Sequence, residues 1–145
     1  MALFIGDFPH TLDDKGRLIM PSKFRNELGT NFVVTRGLEG CLFVFTERKW
    51  NEFTEQLNSK GFSKKDVRSI TRFFCSCAMN ADLDKQGRFL VNKNLREFAE
   101  IERDVMIIGV SDRIEIWSKE KWDEYSQAEY SNDDIMSEKF DGLDF

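Results

Sequence analysis

"LDDKGRLIMPSKFR" runs from Leu12 to Arg25, and "LDKQGRFLVNKNLR" runs from Leu83 to Arg96. At an offset of 71 residues, Leu12, Asp13, Gly16, Arg17 and Arg25 meet Leu83, Asp84, Gly87, Arg88 and Arg96, while Leu18, Ile19, Met20 and Phe24 meet Phe89, Leu90, Val91 and Leu95. Further on the offset becomes 72, and "CLFVFTERKWNEF" (41–53) lies over "RIEIWSKEKWDEY" (113–125). Self-similarity on this scale marks one structural unit written twice, each copy needing the other to complete its buried surface. The chain therefore divides into a first repeat at 1–58, a connecting helix at 59–74, a second repeat at 75–128 and an acidic tail at 129–145, together one compact domain.

Both copies read alike. An extended segment (4–12; 77–83) reaches a D-x-x-G-R turn, whose glycine supplies the positive φ that other residues resist. A short apolar run then reads as a strand, and a short helical turn follows, with Phe24 and Leu28, or Leu95 and Ala99, four apart. Gly29 is placed to stop the first of these helices. Next come strand pairs, "NFVVTRG" with "CLFVF" and "DVMIIGV" with "RIEIW", joined by turn residues at 36–40 and 111–112. Thr46 and Ser118 are predicted N-caps of a longer helix bearing Trp50, Phe53 and Leu57, or Trp122 and Tyr125, on a core-facing side. The class predicted is α+β with a mainly β core, each repeat carrying one short and one longer helix.

Between the copies, "SKKDVRSITRFF" predicts a helix with Ser63 as its cap, Val67, Ile70 and Phe74 as its apolar stripe, and Lys64, Arg68 and Arg72 on another face. Like charges at that spacing oppose a helix, so the stripe reads either as a solvated face or as a surface for an anion. From residue 129 onward periodicity disappears and acid dominates, which predicts a flexible tail that weakens non-specific attraction to nucleic acid.

The composition narrows the function. At 145 residues the chain is too short for a large two-domain enzyme, and 14 Phe supply a packed core. The net charge of -5 excludes bulk coating of nucleic acid, but it is uneven: residues 120–145 hold nine acids and two bases, whereas 60–72 hold five bases and one acid. No stretch approaches the ~20 apolar residues of a membrane helix, and "MALFIGDFPH" lacks a basic region followed by a long apolar one, so the protein reads as cytosolic. Cys41, Cys75 and Cys77 are an odd set with one histidine, His10, beside them; they read as buried reduced thiols rather than a disulfide framework or metal site.

No phosphate loop, dinucleotide fingerprint, cofactor motif or Cys/His nucleophile is present. Asp13 with Asp84 is the one carboxylate pair that acid–base chemistry could use, yet each precedes by four residues an arginine that would keep it ionised. Arginine at a glycine-opened turn suits another task. Its planar fork matches phosphate oxygens or the guanine O6/N7 edge in a way lysine cannot. Lys15, Lys23 and Arg25 surround Arg17, and Lys85, Lys93 and Arg96 surround Arg88, so residues 10–25 carry four bases against two acids, and 81–96 the same. These are modest basic patches, suited to DNA contacts that must add. The plainer alternative is that Asp13–Arg17 and Asp84–Arg88 are ion pairs holding their turns, with Arg25 and Arg96 covering the core by their stems.

"FIGDFPHTLDDKGRLIMPSKFR" and "LDKQGRFLVNKNLREFA", each followed by a strand pair and a Trp-bearing helix, closely resemble the MraZ family of bacterial transcriptional regulators over about 1–128. A single copy also resembles AbrB-type regulators and MazE-type antitoxins, in which two chains interlace. The resemblance implies a double-split β-barrel of two tandem swapped-hairpin-like repeats, with no cofactor and no small-molecule substrate. It implies a ring-shaped homo-oligomer at the nucleoid. It further implies binding to short direct repeats in double-stranded DNA upstream of the division and cell wall gene cluster, which includes the regulator's own gene. The motif positions it carries over are Asp13 and Arg17 with Asp84 and Arg88; the neighbouring Lys15, Lys23, Arg25 and Arg96 join Arg17 and Arg88 as candidate DNA-binding residues by their charge, with Gly16 and Gly87 shaping the turns. Lys15 against Gln86 predicts a stronger first loop. Asn92, where the family usually has proline as at Pro21, is a substitute cap, and Pro9 predicts an edge strand or a bulge. The alternative function is an antitoxin-like protein-interaction module whose acidic tail docks on a partner.

Overall fold

The computed structural model describes residues 3–144. The first repeat contributes β1 (Phe4–Thr11), β2 (Arg17–Ile19), α1 (Ser22–Leu28), β3 (Asn31–Arg36), β4 (Leu42–Thr46) and α2 (Glu47–Ser59). A connecting helix α3 (Lys65–Cys75) leads to β5 (Met79–Asp82), β6 (Arg88–Leu90), α4 (Lys93–Ala99), β7 (Asp104–Ser111), β8 (Arg113–Ser118), α5 (Lys119–Tyr130) and α6 (Asp133–Gly142). The elements of the two halves follow in the same order, as the repeat requires.

Each repeat's hairpin captures the other repeat's first strand. The hairpins β3–β4 and β7–β8 join through β4 and β8, with Phe43 opposite Glu115. Strand β1 adds to β7 of the other copy, Phe4 opposite Ser111 through Thr11 opposite Asp104, and β5 adds to β3, Asn31 opposite Asp82. The result is a six-stranded antiparallel sheet, β1-β7-β8-β4-β3-β5, accompanied by a two-stranded ribbon of β2 and β6. Pro9 lies in β1 at the sheet edge, where one side of the strand has no ladder to supply.

Alternation along the strands splits the apolar residues between two layers. Leu42 and Val44 of β4 and Ile114 and Ile116 of β8 enter a core shared with Leu18 and Phe89 of the ribbon and Phe24 and Leu95 of the short helices. Phe43 and Phe45 face the other way and meet Phe74, Trp117, Trp50, Phe53, Trp122 and Tyr125. The predicted aromatic faces of α2 and α5 are thus core, not cofactor box. In that second layer Glu115 is buried but satisfied, accepting from Arg113 Nη2 at 2.8 Å and from Trp117 Nε1 at 3.0 Å.

Local signals explain most boundaries. Thr46 and Ser118 each accept from the backbone amide three residues on, at 3.0 Å, and Gly29 ends α1 at φ 81°. Asn92 caps α4 by accepting from Leu95 N at 3.0 Å, whereas Pro21 gives α1 no side-chain cap. Three expectations need correction. Ser63 is not the cap of α3: Lys64 holds that position without a side-chain bond, and the Ser63 carbonyl instead accepts from Arg68 Nη1 at 2.9 Å. That fold-back also takes Arg68 out of the proposed basic stripe. The three thiols are not alike: Cys41 is buried, which pushes its thiol pKa well up, Cys77 is half-buried and Cys75 is exposed at the end of α3.

The third correction concerns the tail. Residues 133–142 form α6, capped by Asn132 with Asp133 and Asp134 in the first turn, where acids favour a helix N-terminus. Lys139 pairs with Glu129 of α5. This helix buries none of its residues, so no apolar stripe was needed to form it and none was visible in the sequence. Among the described residues no helix is long and apolar enough to cross a membrane.

Candidate nucleic-acid interface

The two D-x-x-G-R segments fold into the same turn. Asp13 N donates to Arg17 O at 2.9 Å and Gly16 N to Asp13 O at 3.0 Å; Asp84, Gly87 and Arg88 repeat both distances. Gly16 and Gly87 sit at φ 79° and 78°, the left-handed region that other residues enter at a cost. Asp13 Oδ1 accepts from Lys15 N and Arg17 N at 2.9 and 2.8 Å, while Oδ2 takes Arg17 Nε at 2.8 Å. Asp84 does the same with Gln86 N, Arg88 N and Arg88 Nε, the last at 2.7 Å. The aspartate therefore organises the turn and also aims the arginine.

These bonds set the charge state. The Arg17 backbone amide, then its guanidinium and the Lys15 amide, hold the Asp13 carboxyl below its ordinary value against the opposing effect of desolvation; Arg88 and Gln86 do likewise for Asp84. A carboxyl shifted that way stays ionised at neutral pH, so this pair is unsuited to acting as a general acid. The ion pairs are real, as the plainer reading held, but they engage each arginine through Nε only. Among the described residues nothing bonds the terminal nitrogens of Arg17, while Arg88 Nη2 donates to Gln86 Oε1 at 3.3 Å.

The ribbon places the two turns at its opposite ends. Arg17 is opposite Leu90, Leu18 opposite Phe89, and Ile19 opposite Arg88. Met20 N donates to Gly87 O and Val91 N to Gly16 O, each at 2.9 Å, so each copy's strand is tied to the other copy's turn. The short helices cross over in the same way. Arg25 is anchored by Nε to Met20 O at 2.8 Å, and Arg96 to Val91 O at 3.0 Å. From there a methyl group added at Gly16 would lie 3.2 Å from Arg96 Cζ, and one added at Gly87 would overlap the Arg25 guanidinium.

The crossover regroups the cations foreseen in the sequence. One turn has Lys15, Arg17 and Arg96; the other has Lys85, Arg88 and Arg25. Lys23 and Lys93 stay exposed on α1 and α4, the latter near Glu97 at 3.8 Å. Sequence reasoning paired each second arginine with its own copy; only the strand exchange shows that it serves the other. Lys85 stands where the first copy has Asp14, so the second turn carries its cation one position earlier than the first. His10, in β1, has its pKa lowered by partial burial and then by the positive charge of Arg25, and has no counterpart in the second copy.

Two exchanged strand–turn–strand halves, fused in one chain and presenting paired arginine turns on a common ribbon, define a pseudo-symmetric α+β fold. Comparison with known proteins gives the family. The family described as "MraZ protein, putative antitoxin-like" matches residues 3–73 and again 74–142, so both halves, including α6, lie within its pattern. A "Transcriptional regulator MraZ" of Natranaerobius thermophilus is 50% identical over 140 residues, covering 96% of this chain and 98% of that protein. Proteins of the same name from Moorella thermoacetica and Caldanaerobacter subterraneus are 45% and 48% identical, each covering at least 97% of this chain and 99% of the relative. The chain belongs to the MraZ family.

Proposed function

We propose that this protein is a sequence-specific DNA-binding transcriptional regulator that reads its operator through the two D-x-x-x-R turns. The observation that carries this reading is the pair of arginines, Arg17 and Arg88, each aimed by an aspartate through Nε at opposite ends of one ribbon, with the Arg17 terminal nitrogens unengaged among the described residues. A guanidinium held this way is pre-organised for phosphate or a guanine edge and loses little freedom on binding. Lys15, Lys23, Arg25 and Arg96 add charge around the turns. The names borne by relatives at 45–50% identity support regulation of transcription.

In this reading the exchanged sheet and its ribbon are the two halves of a double-split barrel. The protomers form a ring that bridges short direct repeats upstream of the division and cell wall genes, the regulator's own gene among them, at the nucleoid. Several modest patches on successive repeats gain affinity through effective concentration. Each neutralised phosphate contributes about -0.9 to the slope of log affinity against log salt. A footprint on the DNA upstream of the chain's own gene tests this reading, with regularly spaced protected boxes expected and an unprotected region contradicting it.

The antitoxin-like description of the family, together with acidic α6, supports a second reading as a protein-interaction module. Removing 129–145 separates the two: lost partner capture with DNA affinity unchanged or raised favours a dual role, and no DNA binding at all favours the interaction module alone.

A further inference from the structure

The outer face of the β2–β6 ribbon carries two residues that neither the fold nor the arginine chemistry uses. Leu18 and Phe89 point inward and are 0% and 1% exposed, whereas Ile19 and Leu90, one position further along each strand, are 43% and 50% exposed. By strand alternation they share a face with Arg17 and Arg88, and the register sets Leu90 opposite Arg17 and Ile19 opposite Arg88. Isolated exposed aliphatics are ordinary on a protein surface. These two occupy the same place in both copies, each across the ribbon from the other copy's arginine, and the arginines are tethered back to their own aspartates.

We infer that Ile19 and Leu90 are specificity-determining residues that recognise thymine 5-methyl groups in the major groove. This inference rests on the DNA-binding reading above and names a further feature that the same surface reads. The occupant is argued from charge: Lys15, Arg17 and Arg96 against Asp13 and Asp14 flank the patch at one end, and Lys85, Arg88 and Arg25 against Asp84 at the other, a cationic excess at both ends, so the ligand that covers it is an anion with apolar edges. A two-stranded ribbon fits the major groove, ~12 Å wide, and there the methyl of thymine is the one apolar group on a base edge. Arg17 and Ile19 are two residues apart on one strand, about 7 Å, a spacing of roughly two base-pair steps. Each aliphatic side chain thus lies within about two base pairs of an arginine-contacted base. The arginines supply guanine contacts and affinity; the aliphatics select adjacent A·T pairs.

Uracil in place of thymine deletes only the methyl, which gives a direct test. The wild-type protein is titrated against the duplex from upstream of its own gene, made with thymine or with uracil throughout. Weaker binding to the uracil duplex is expected, about fourfold for each methyl contact. Ile19→Ala and Leu90→Ala weaken binding to thymine DNA by similar factors, and the double variant binds both duplexes equally; unchanged thermal unfolding and solution mass show that it remains folded and assembled. Equal wild-type binding to both duplexes overturns the inference. So does a loss in the alanine variants that is the same on thymine and uracil DNA, or a fall in assembled mass, which would make the patch a contact between copies. Arg17→Ala separates the two levels: if it loses affinity while the duplexes remain indistinguishable, the arginine site stands and the methyl readout falls. If the wild type binds neither duplex, the DNA-binding reading falls with it.

Discussion

The two turns share a backbone to within a tenth of an ångström in their closing hydrogen bonds, yet their tips offer different chemistry. In the first, Lys15 adds a cation and Arg17 keeps both terminal nitrogens unengaged among the described residues; in the second, Gln86 replaces that cation and accepts from Arg88 Nη2 at 3.3 Å. The neighbouring caps differ too, since Asn92 caps α4 while Pro21 leaves α1 without a side-chain cap. A homodimer of single-copy chains must keep its two turns identical. Duplication within one chain frees them to diverge while the exchanged strands preserve the scaffold; Lys15 beside the Arg17 fork makes the first turn the one expected to bind DNA more strongly, although Asp14 stands there against Lys85 in the second.

The comparison can be broken at several levels. Its largest effect lies in the arginines together: Arg17→Ala combined with Arg88→Ala removes both forks, each worth ~1–3 kcal/mol, and a mobility shift should show specific binding lost by about thirtyfold or more. Circular dichroism should remain that of the folded protein, because the buried core includes neither side chain.

Next come the glycines. Gly16→Ala forces alanine into a left-handed turn at ~1–2 kcal/mol. Gly87→Ala should cost more, because its methyl also meets the Arg25 guanidinium, which Met20 O anchors at 2.8 Å. Thermal unfolding orders the two variants, and equal losses would mean that Arg25 is not held over the second turn. Asn92→Ala should destabilise by about 1 kcal/mol through loss of its cap, while Pro21→Ala loses no cap bond.

A smaller effect tests the tips themselves. Lys15→Gln should weaken DNA binding a few-fold and flatten the salt dependence by about one phosphate, whereas Gln86→Lys should do the reverse. The smallest is in pH. The carboxyls of Asp13 and Asp84 lie below their ordinary value of 3.8 in the folded protein, so their contribution to stability is full above that value and is lost as pH falls through the lowered folded-state value. Unfolding midpoints measured from pH 5 down to pH 2 should therefore fall less for a variant carrying Asp13→Asn and Asp84→Asn than for the wild type.

Much of this was legible in the sequence because it is local. The 71-residue offset gave the units, β-alternation gave the strand pairs, and Thr46, Ser118, Gly29 and Asn92 marked helix ends through side chains or φ angles that act within four residues. Periodicity names elements but not partners, so the placement of Arg25 over Gly87 and of Arg96 over Gly16 had no local signal. The remaining misses share that origin. Cys75 is exposed because, one residue on from buried Phe74, it lies off the face that α3 turns to the aromatic layer, and α6 forms from cap and charge without an apolar stripe. At the site, the aspartate–arginine pairing was readable from its four-residue spacing; the engagement of Arg88 by Gln86 needed coordinates.

The most direct test measures the affinity of wild type, Arg17→Ala and Arg88→Ala side by side for the duplex from upstream of the protein's own gene, across a range of salt. Both substitutions should weaken binding by about five- to a hundredfold with the fold intact, Arg17→Ala the more severely. Wild-type affinity in both variants would contradict the account.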